Sequence, residues 1–176
     1  ADEVLAHFSA GDIVLLQNEI SAVPHILRRA AEAGLSVWFN PSPMDDGARA
    51  CDLSLVSVFL LNEIEGEQLT GTAEPGAILD RMAEKYPQAA VVLTLGAAGA
   101  WYAKGGARAF CPAEKAEAVD TTAAGDTFTG YFLRGMLDGR TPEEALRLAA
   151  RASAIAVSRP GASPSIPRFS EVERGL

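Results

Sequence analysis

The run Ala90-Val-Val-Leu-Thr-Leu95 constrains the fold of this chain more than any other stretch. It is apolar, rich in β-branched residues and lacks polar alternation, so a strand made from it must be buried on both faces. Asp12 to Gln17, Leu35 to Asn40 and Leu53 to Leu61 have the same character, and helical patterns stand between them. Ser21 is expected to cap a helix running to about Ala33, with Gly34 as its stop. A short helix follows Asn62-Glu63 to about Leu69, and Glu74-Pro75 opens another to about Lys85. Beyond the turn Gly96 to Gly99, Ala100 to Ala103 and Ala107 to Cys111 read as strands. Helices are predicted from about Ala124 to Leu137 and from Thr141-Pro142 to about Val157, the latter with proline in its first turn.

Strands alternating with helices imply right-handed βαβ units. The predicted fold class is therefore α/β, a mostly parallel sheet with helices on both faces, in a single domain over residues 1–176. Ligands of such folds sit at the carboxyl ends of the strands. Here those ends carry Gln17-Asn18-Glu19, Asn40 to Pro43, Asn62-Glu63 and Thr94 to Gly99, all polar or glycine-rich.

Composition removes several function classes. The net charge of −8 with 15 Lys+Arg argues against nucleic acid and against an anionic membrane surface. The most apolar window, Ala89 to Ala103, falls short of the ~20 residues that cross a bilayer. The opening ADEVLAHF has neither the basic nor the apolar part of a signal peptide, which predicts a cytoplasmic location. Cys51 and Cys111 read as reduced, buried thiols. His7 and His25 stand alone, without zinc-ligand spacing.

The stretch Val119-Asp-Thr-Thr-Ala-Ala-Gly-Asp-Thr-Phe128 poses the functional question. Gly125 permits close backbone approach, Ala123 and Ala124 add little bulk, and the helix that follows directs N–H groups and its positive end forward. Such a mouth suits an anion, phosphate above all. Asp126 there could take a proton from a hydroxyl attacking phosphorus. Equally, Asp126 could serve only the helix dipole, and Asp120 could only cap a turn.

The rest of the chain resembles the ribokinase family, the PfkB-type sugar kinases. Asp120 to Phe128 matches that family's C-terminal signature almost residue for residue. Asn40-Pro-Ser-Pro43, Asn62-Glu-Ile-Glu65, Thr94-Leu-Gly96 followed by Gly99, and Arg159-Pro-Gly-Ala-Ser-Pro-Ser165 follow in the family's order at compatible intervals. The resemblance implies ATP-dependent phosphorylation of a sugar hydroxyl, with ribose giving ribose 5-phosphate. Asp126 would be the catalytic base, and Ala123, Ala124 and Gly125 the anion hole. Thr94, Leu95, Gly96, Ala97, Ala98 and Gly99 would lie along the nucleotide. Asn62 and Glu65 would act near the phosphates and their Mg²⁺ through water. Glu19 would reach the sugar. Ala150 stands where relatives often have a polar residue near adenine, so contacts there would be apolar. Asp120, Thr122, Ala156, Arg159, Gly161 and Ser165 would hold a monovalent cation, K⁺, mainly through backbone oxygens. Pro160 lies inside that turn and removes one N–H but no carbonyl.

Members of this family begin with a portion that has no counterpart here, comprising a small β-sheet lid, further strands and residues that grip the sugar. A sheet cut at that point would expose an edge. The expected partners, besides sugar and ATP, are therefore a second copy of the chain or a chain supplying the missing portion. Two other readings compete: a non-catalytic nucleotide- or partner-binding module, and a kinase for fructose, a ketodeoxy sugar acid or a nucleoside. An NAD-binding domain is set aside, because no Gly-x-Gly-x-x-Gly follows the first strand.

Overall fold

The computed structural model describes residues 1–174. In chain order its elements are α1 (Asp2–Leu5), β1 (Ile13–Gln17), α2 (Val23–Glu32), β2 (Ser36–Asn40), α3 (Asp46–Arg49), β3 (Val58–Asn62), α4 (Glu63–Thr70) and α5 (Pro75–Lys85). Then come β4 (Ala90–Thr94), β5 (Ala100–Lys104), β6 (Ala107–Cys111), α6 (Ala124–Leu137), α7 (Pro142–Val157) and α8 (Phe169–Glu173). The strands form one six-stranded sheet in sequence order. β1 to β4 are parallel neighbours, while Gly105-Gly106 closes β5 and β6 into a hairpin, which is necessarily antiparallel. The α/β class and its mostly parallel sheet are as the sequence predicts.

The described residues fall into two compact units, Ala1–Thr94 with Ala103–Ala107, and Leu95–Tyr102 with residues 108–174. In the first unit the central strands bury every residue expected of them. Val37, Trp38 and Phe39 of β2, Val58 to Leu61 of β3 and Ala90 to Leu93 of β4 are all buried. β1 at the edge of the sheet leaves Leu15 exposed. α2 turns Val23, Leu27 and Ala30 inward, an i, i+4, i+7 stripe. α5 does the same with Ile78, Leu79 and Met82.

In the second unit α6 and α7 pack as an antiparallel pair. At Gly135 an added Cβ would stand 2.9 Å from the Cα of Ala145, so the two helices cross with no side chain between them. α8 completes this unit through Val172, packed with Leu148 and Ala152. Tyr131 donates to the carbonyl of Pro167 at 2.6 Å, and Arg134 lies 4.7 Å above the Phe169 ring. The rings of Trp101 and Phe110 on the hairpin lie 4.8 Å apart, tilted by 42°.

Several expectations need correction. Ser21 does not cap α2; the position is taken by Ala22, without a side-chain bond, and proline in the first turn starts the helix instead. The apolar stretch Leu53 to Leu61 is not one strand. Asp52 accepts from the N–H of Ser54 and tightens Leu53–Leu55 into a 3-10 turn, and β3 begins only at Val58. Leu95 falls outside β4, because its N–H is drawn to the carbonyl of Gly99. The short helices α1, α3 and α8 carry too few residues for a periodic signal and were not anticipated. Both cysteines are free and buried, and burial pushes each thiol above its ordinary range.

Candidate active site

In the first unit the parallel strands end in a common row. The register sets Gln17 beside Asn40, and Asn62 beside Thr94. Each end is fixed locally. Asn40 accepts from the N–H of Ser42 at 3.0 Å, turning the chain into the Pro41–Pro43 loop, where the Ser42–Pro43 peptide is cis. Asn18 donates to the carbonyl of Pro43 and to Oδ1 of Asp45, each at 2.8 Å. Asp45 in turn caps α3 by accepting from the N–H of Ala48 at 3.0 Å. These donors, Ala48 first and Asn18 second, hold the Asp45 carboxyl below its ordinary range. Glu19 follows directly and is exposed.

Asn62 and Glu65 close a reciprocal cap at the start of α4. Asn62 Oδ1 accepts from the N–H groups of Ile64 and Glu65, and the Glu65 carboxylate accepts from Asn62 N at 2.8 Å and Nδ2 at 3.0 Å. Glu65 is only 5% exposed, and both of its oxygens are already engaged. The hydroxyl of Thr94 donates to the carbonyl of Leu61 at 3.2 Å, tying the ends of β3 and β4 together.

In the second unit the turn Leu95 to Gly99 is closed by the Leu95 N–H on the Gly99 carbonyl at 2.8 Å. Its two glycines differ. Gly96, at φ +51°, faces open space, whereas a Cβ on Gly99, at φ +124°, would meet the Cys111 carbonyl at 2.2 Å. Gly99 is thus demanded by packing, and Gly96 by backbone conformation alone.

The loop leading into α6 is pinned from α7 and from the turn beyond it. The N–H groups of Val119 and Asp120 both donate to the carbonyl of Val157, at 2.8 and 3.1 Å. Asp120 accepts on Oδ1 from the N–H and hydroxyl of Thr122, and on Oδ2 from the N–H of Gly161 at 2.9 Å. These bonds, the Thr122 hydroxyl first, lower the Asp120 carboxyl below its ordinary value. Ser153 of α7 donates to the carbonyl of Ala124 at 3.1 Å. α6 begins behind Ala123 without a side-chain cap, and a Cβ on Gly125 would meet nothing within 4 Å. Asp126 is exposed in the first turn of α6. The next side chain, Thr127, is buried and its hydroxyl has no partner among the described residues.

Asp120, Thr122 and Gly161 are therefore joined directly. Ser165 is 1% exposed and donates to the Ala162 carbonyl at 2.7 Å. The carbonyl of Ala156 accepts from Arg159 N at 3.1 Å, while the Arg159 side chain is drawn to Glu171 at 2.7 Å and leaves only its backbone to the turn. Ala150 is buried in α7. Among the described residues no group of three or more His, Cys, Asp or Glu side chains is arranged for a metal, and no helix is long and apolar enough to cross a membrane.

Sequence reasoning placed Asn18 at a strand end without a role, and missed Asp45, Ser153 and the part that Val157 plays in holding the Val119 to Asp120 loop. Asp45 had a detectable signal, a side-chain acceptor ahead of a short helix. Ser153 had none, being one hydroxyl in an alanine-rich helix face, and Val157 acts only through its carbonyl.

This geometry lies within a stretch, residues 5–168, that matches the model of the pfkB family of carbohydrate kinases. The chain belongs to that family. The ribokinase of Schizosaccharomyces pombe is 37% identical over 175 residues, covering 94% of this chain and 55% of that protein. A solved ribokinase structure from Thermotoga maritima superposes with a TM-score of 0.80 at 33% identity, over 97% of this chain and 58% of the other. The ribokinase of Arabidopsis thaliana, solved with ribose and ATP, gives 0.79 at 30% identity, over 92% and 55%. The pfkB-family chain described here thus spans about half the length of these relatives. Its strands and helices form the three-layer α/β/α arrangement of ribokinases.

Proposed function

We propose that this pfkB-family chain carries the nucleotide-binding and catalytic part of a kinase that transfers the γ-phosphoryl group of ATP to a sugar hydroxyl, with ribose as substrate. The observation that carries the reading is the start of α6. An uncapped helix N-terminus opens onto free space at Gly125, and a carboxylate, Asp126, stands in its first turn. Asp126 takes the proton of the attacking hydroxyl as its oxygen bonds to phosphorus, and ADP leaves. Of the N–H groups at Ala123, Ala124 and Gly125, that of Ala124 already donates to the Thr121 carbonyl at 3.1 Å, so the charge that builds on the transferred oxygens falls chiefly to the other two and to the helix dipole. Backbone fixed from α7 costs no reorganisation at that moment, which is the use of the bonds at Val157, Gly161 and Ser153.

The residues present fit the expected ions in different ways. Glu65 and Asn62 are committed to each other, so a Mg²⁺ accompanying ATP would meet them only through water. When bound, that ion neutralises phosphate charge. A K⁺ ion would find hard oxygens in the backbone from Ala156 to Gly161, the hydroxyl of Ser165 and the carboxylate of Asp120. Glu19, exposed beyond β1, presents acceptors to sugar hydroxyls, and Thr94 to Gly99 with Ala150 provide the nucleotide surface.

A second reading is favoured by one observation, the 55% share of the relative's length. The chain would then bind nucleotide without phosphorylating sugar alone, and would need a second copy or a complementary chain. One experiment separates the two: ADP formation by the purified chain with MgATP, K⁺ and D-ribose, beside a panel of fructose, ketodeoxy sugar acids and nucleosides. Ribose-dependent ADP supports the first reading. ATP binding without turnover supports the second, and the absence of both refutes the two together.

A further inference from the structure

We propose that Asn18 is a positioning residue for the sugar, because it fastens the turn carrying Glu19 to the loop beyond β2. The inference rests on the sugar-contacting role given to Glu19 above. Glu19 is exposed, and the strand ladder that steadies β1 ends one step before Asn18, at Gln17 beside Asn40. A carboxylate on such a turn holds a defined direction only if the backbone beneath it is tied elsewhere.

Asn18 provides that tie. Its one amide nitrogen reaches two acceptors, the Pro43 carbonyl and Asp45 Oδ1, both at 2.8 Å. An amide nitrogen carries two hydrogens, so both bonds can form at once. The far end is firm, since the same Asp45 oxygen accepts from Ala48 at the start of α3. Residue type is decisive. Aspartate would set a second carboxylate against Asp45 and a lone pair against the Pro43 carbonyl, serine has one hydrogen to give, and leucine has none. The contact crosses 25 and 27 residues of sequence, and so ties together the two turns that leave β1 and β2 beyond the last ladder pair, Gln17 and Asn40.

The test is a set of variants of this chain, read by steady-state kinetics with D-ribose and by hydrogen exchange of the turn. Asn18→Ala should raise the ribose KM about tenfold, the effect of losing two modest hydrogen bonds, while the ATP KM stays within about twofold. Exchange at Gln17 to Ser21 should quicken in the same variant. Asp45→Asn keeps an oxygen for both donors, so its ribose KM should rise less than that of Asn18→Ala. Asn18→Asp should be worse than Asn18→Ala, and the exchanged pair Asn18→Asp with Asp45→Asn should recover part of that loss. Ribose and ATP KM values rising together, or no recovery in the exchanged pair, would overturn the proposal. A parent that binds ATP but phosphorylates no sugar removes the role of Glu19 and the proposal with it. Exchange then judges the fastening alone, and unchanged exchange in Asn18→Ala disproves that too.

Discussion

Asp120 and Asp126 belong to one signature, yet the structure treats them differently. Asp126 stands exposed at a helix start, whereas Asp120 is bound by three donors. Asp126→Asn is expected to leave ADP affinity unchanged and to lower turnover about 10²- to 10⁴-fold. Near-normal turnover would remove Asp126 as the base. For Asp120 the prediction concerns pH. Its carboxyl titrates below the ordinary value of 3.8 because folding brings donors to the charged form. That contribution is complete above pH 3.8 and is lost as pH falls through the lower folded value. Asp120→Asn should therefore melt below the parent at neutral pH, with the two curves converging only under strongly acidic conditions. A gap that persists at low pH would place the effect elsewhere. Both aspartates were legible as a pair from the sequence, and the family resemblance grouped Asp120 with Gly161. The hydrogen bond that Gly161 gives Asp120 was not legible, because the two stand 41 residues apart.

At the scale of elements, what was legible followed the length of the signal. β2, β4, α6 and α7 are buried or periodic over several residues, and each was predicted close to its place. Ser21 and the Leu53 to Leu61 run misled because a local bond decided the outcome, proline in one case and the Asp52 turn in the other. Two glycines of α6 permit a sharp comparison. A Cβ on Gly130 meets nothing within 4 Å, while at Gly135 it presses on the backbone of Ala145. Gly130→Ala should stabilise by up to about 1 kcal/mol through helix propensity. Gly135→Ala gains the same propensity but should destabilise by about 1–2 kcal/mol net, since the α7 backbone must move. Urea melts of the two variants check both signs. At α4, Asn62→Ala removes the cap and takes the side-chain donor from Oε1 of the buried Glu65 carboxylate, while the backbone bond to Oε2 remains; the cost should be about 2 kcal/mol in the same measurement. Little loss would mean that Glu65 finds another donor.

At the scale of the molecule, the row of strand ends was predictable from the alternation of elements, and the candidate residues of the first unit do stand along it. The division into two compact units was not predictable, because no change of composition marks Leu95 or Arg108. That division has a spectroscopic consequence. The chain has two tryptophans, and each unit holds one, Trp38 within β2 and Trp101 on the hairpin. Trp38 is 4% exposed and should emit toward the blue, while Trp101 is partly open to solvent beside Phe110 and should emit further red. Trp38→Phe and Trp101→Phe would each leave a single fluorophore, so that the unfolding of each unit could be followed by its own colour.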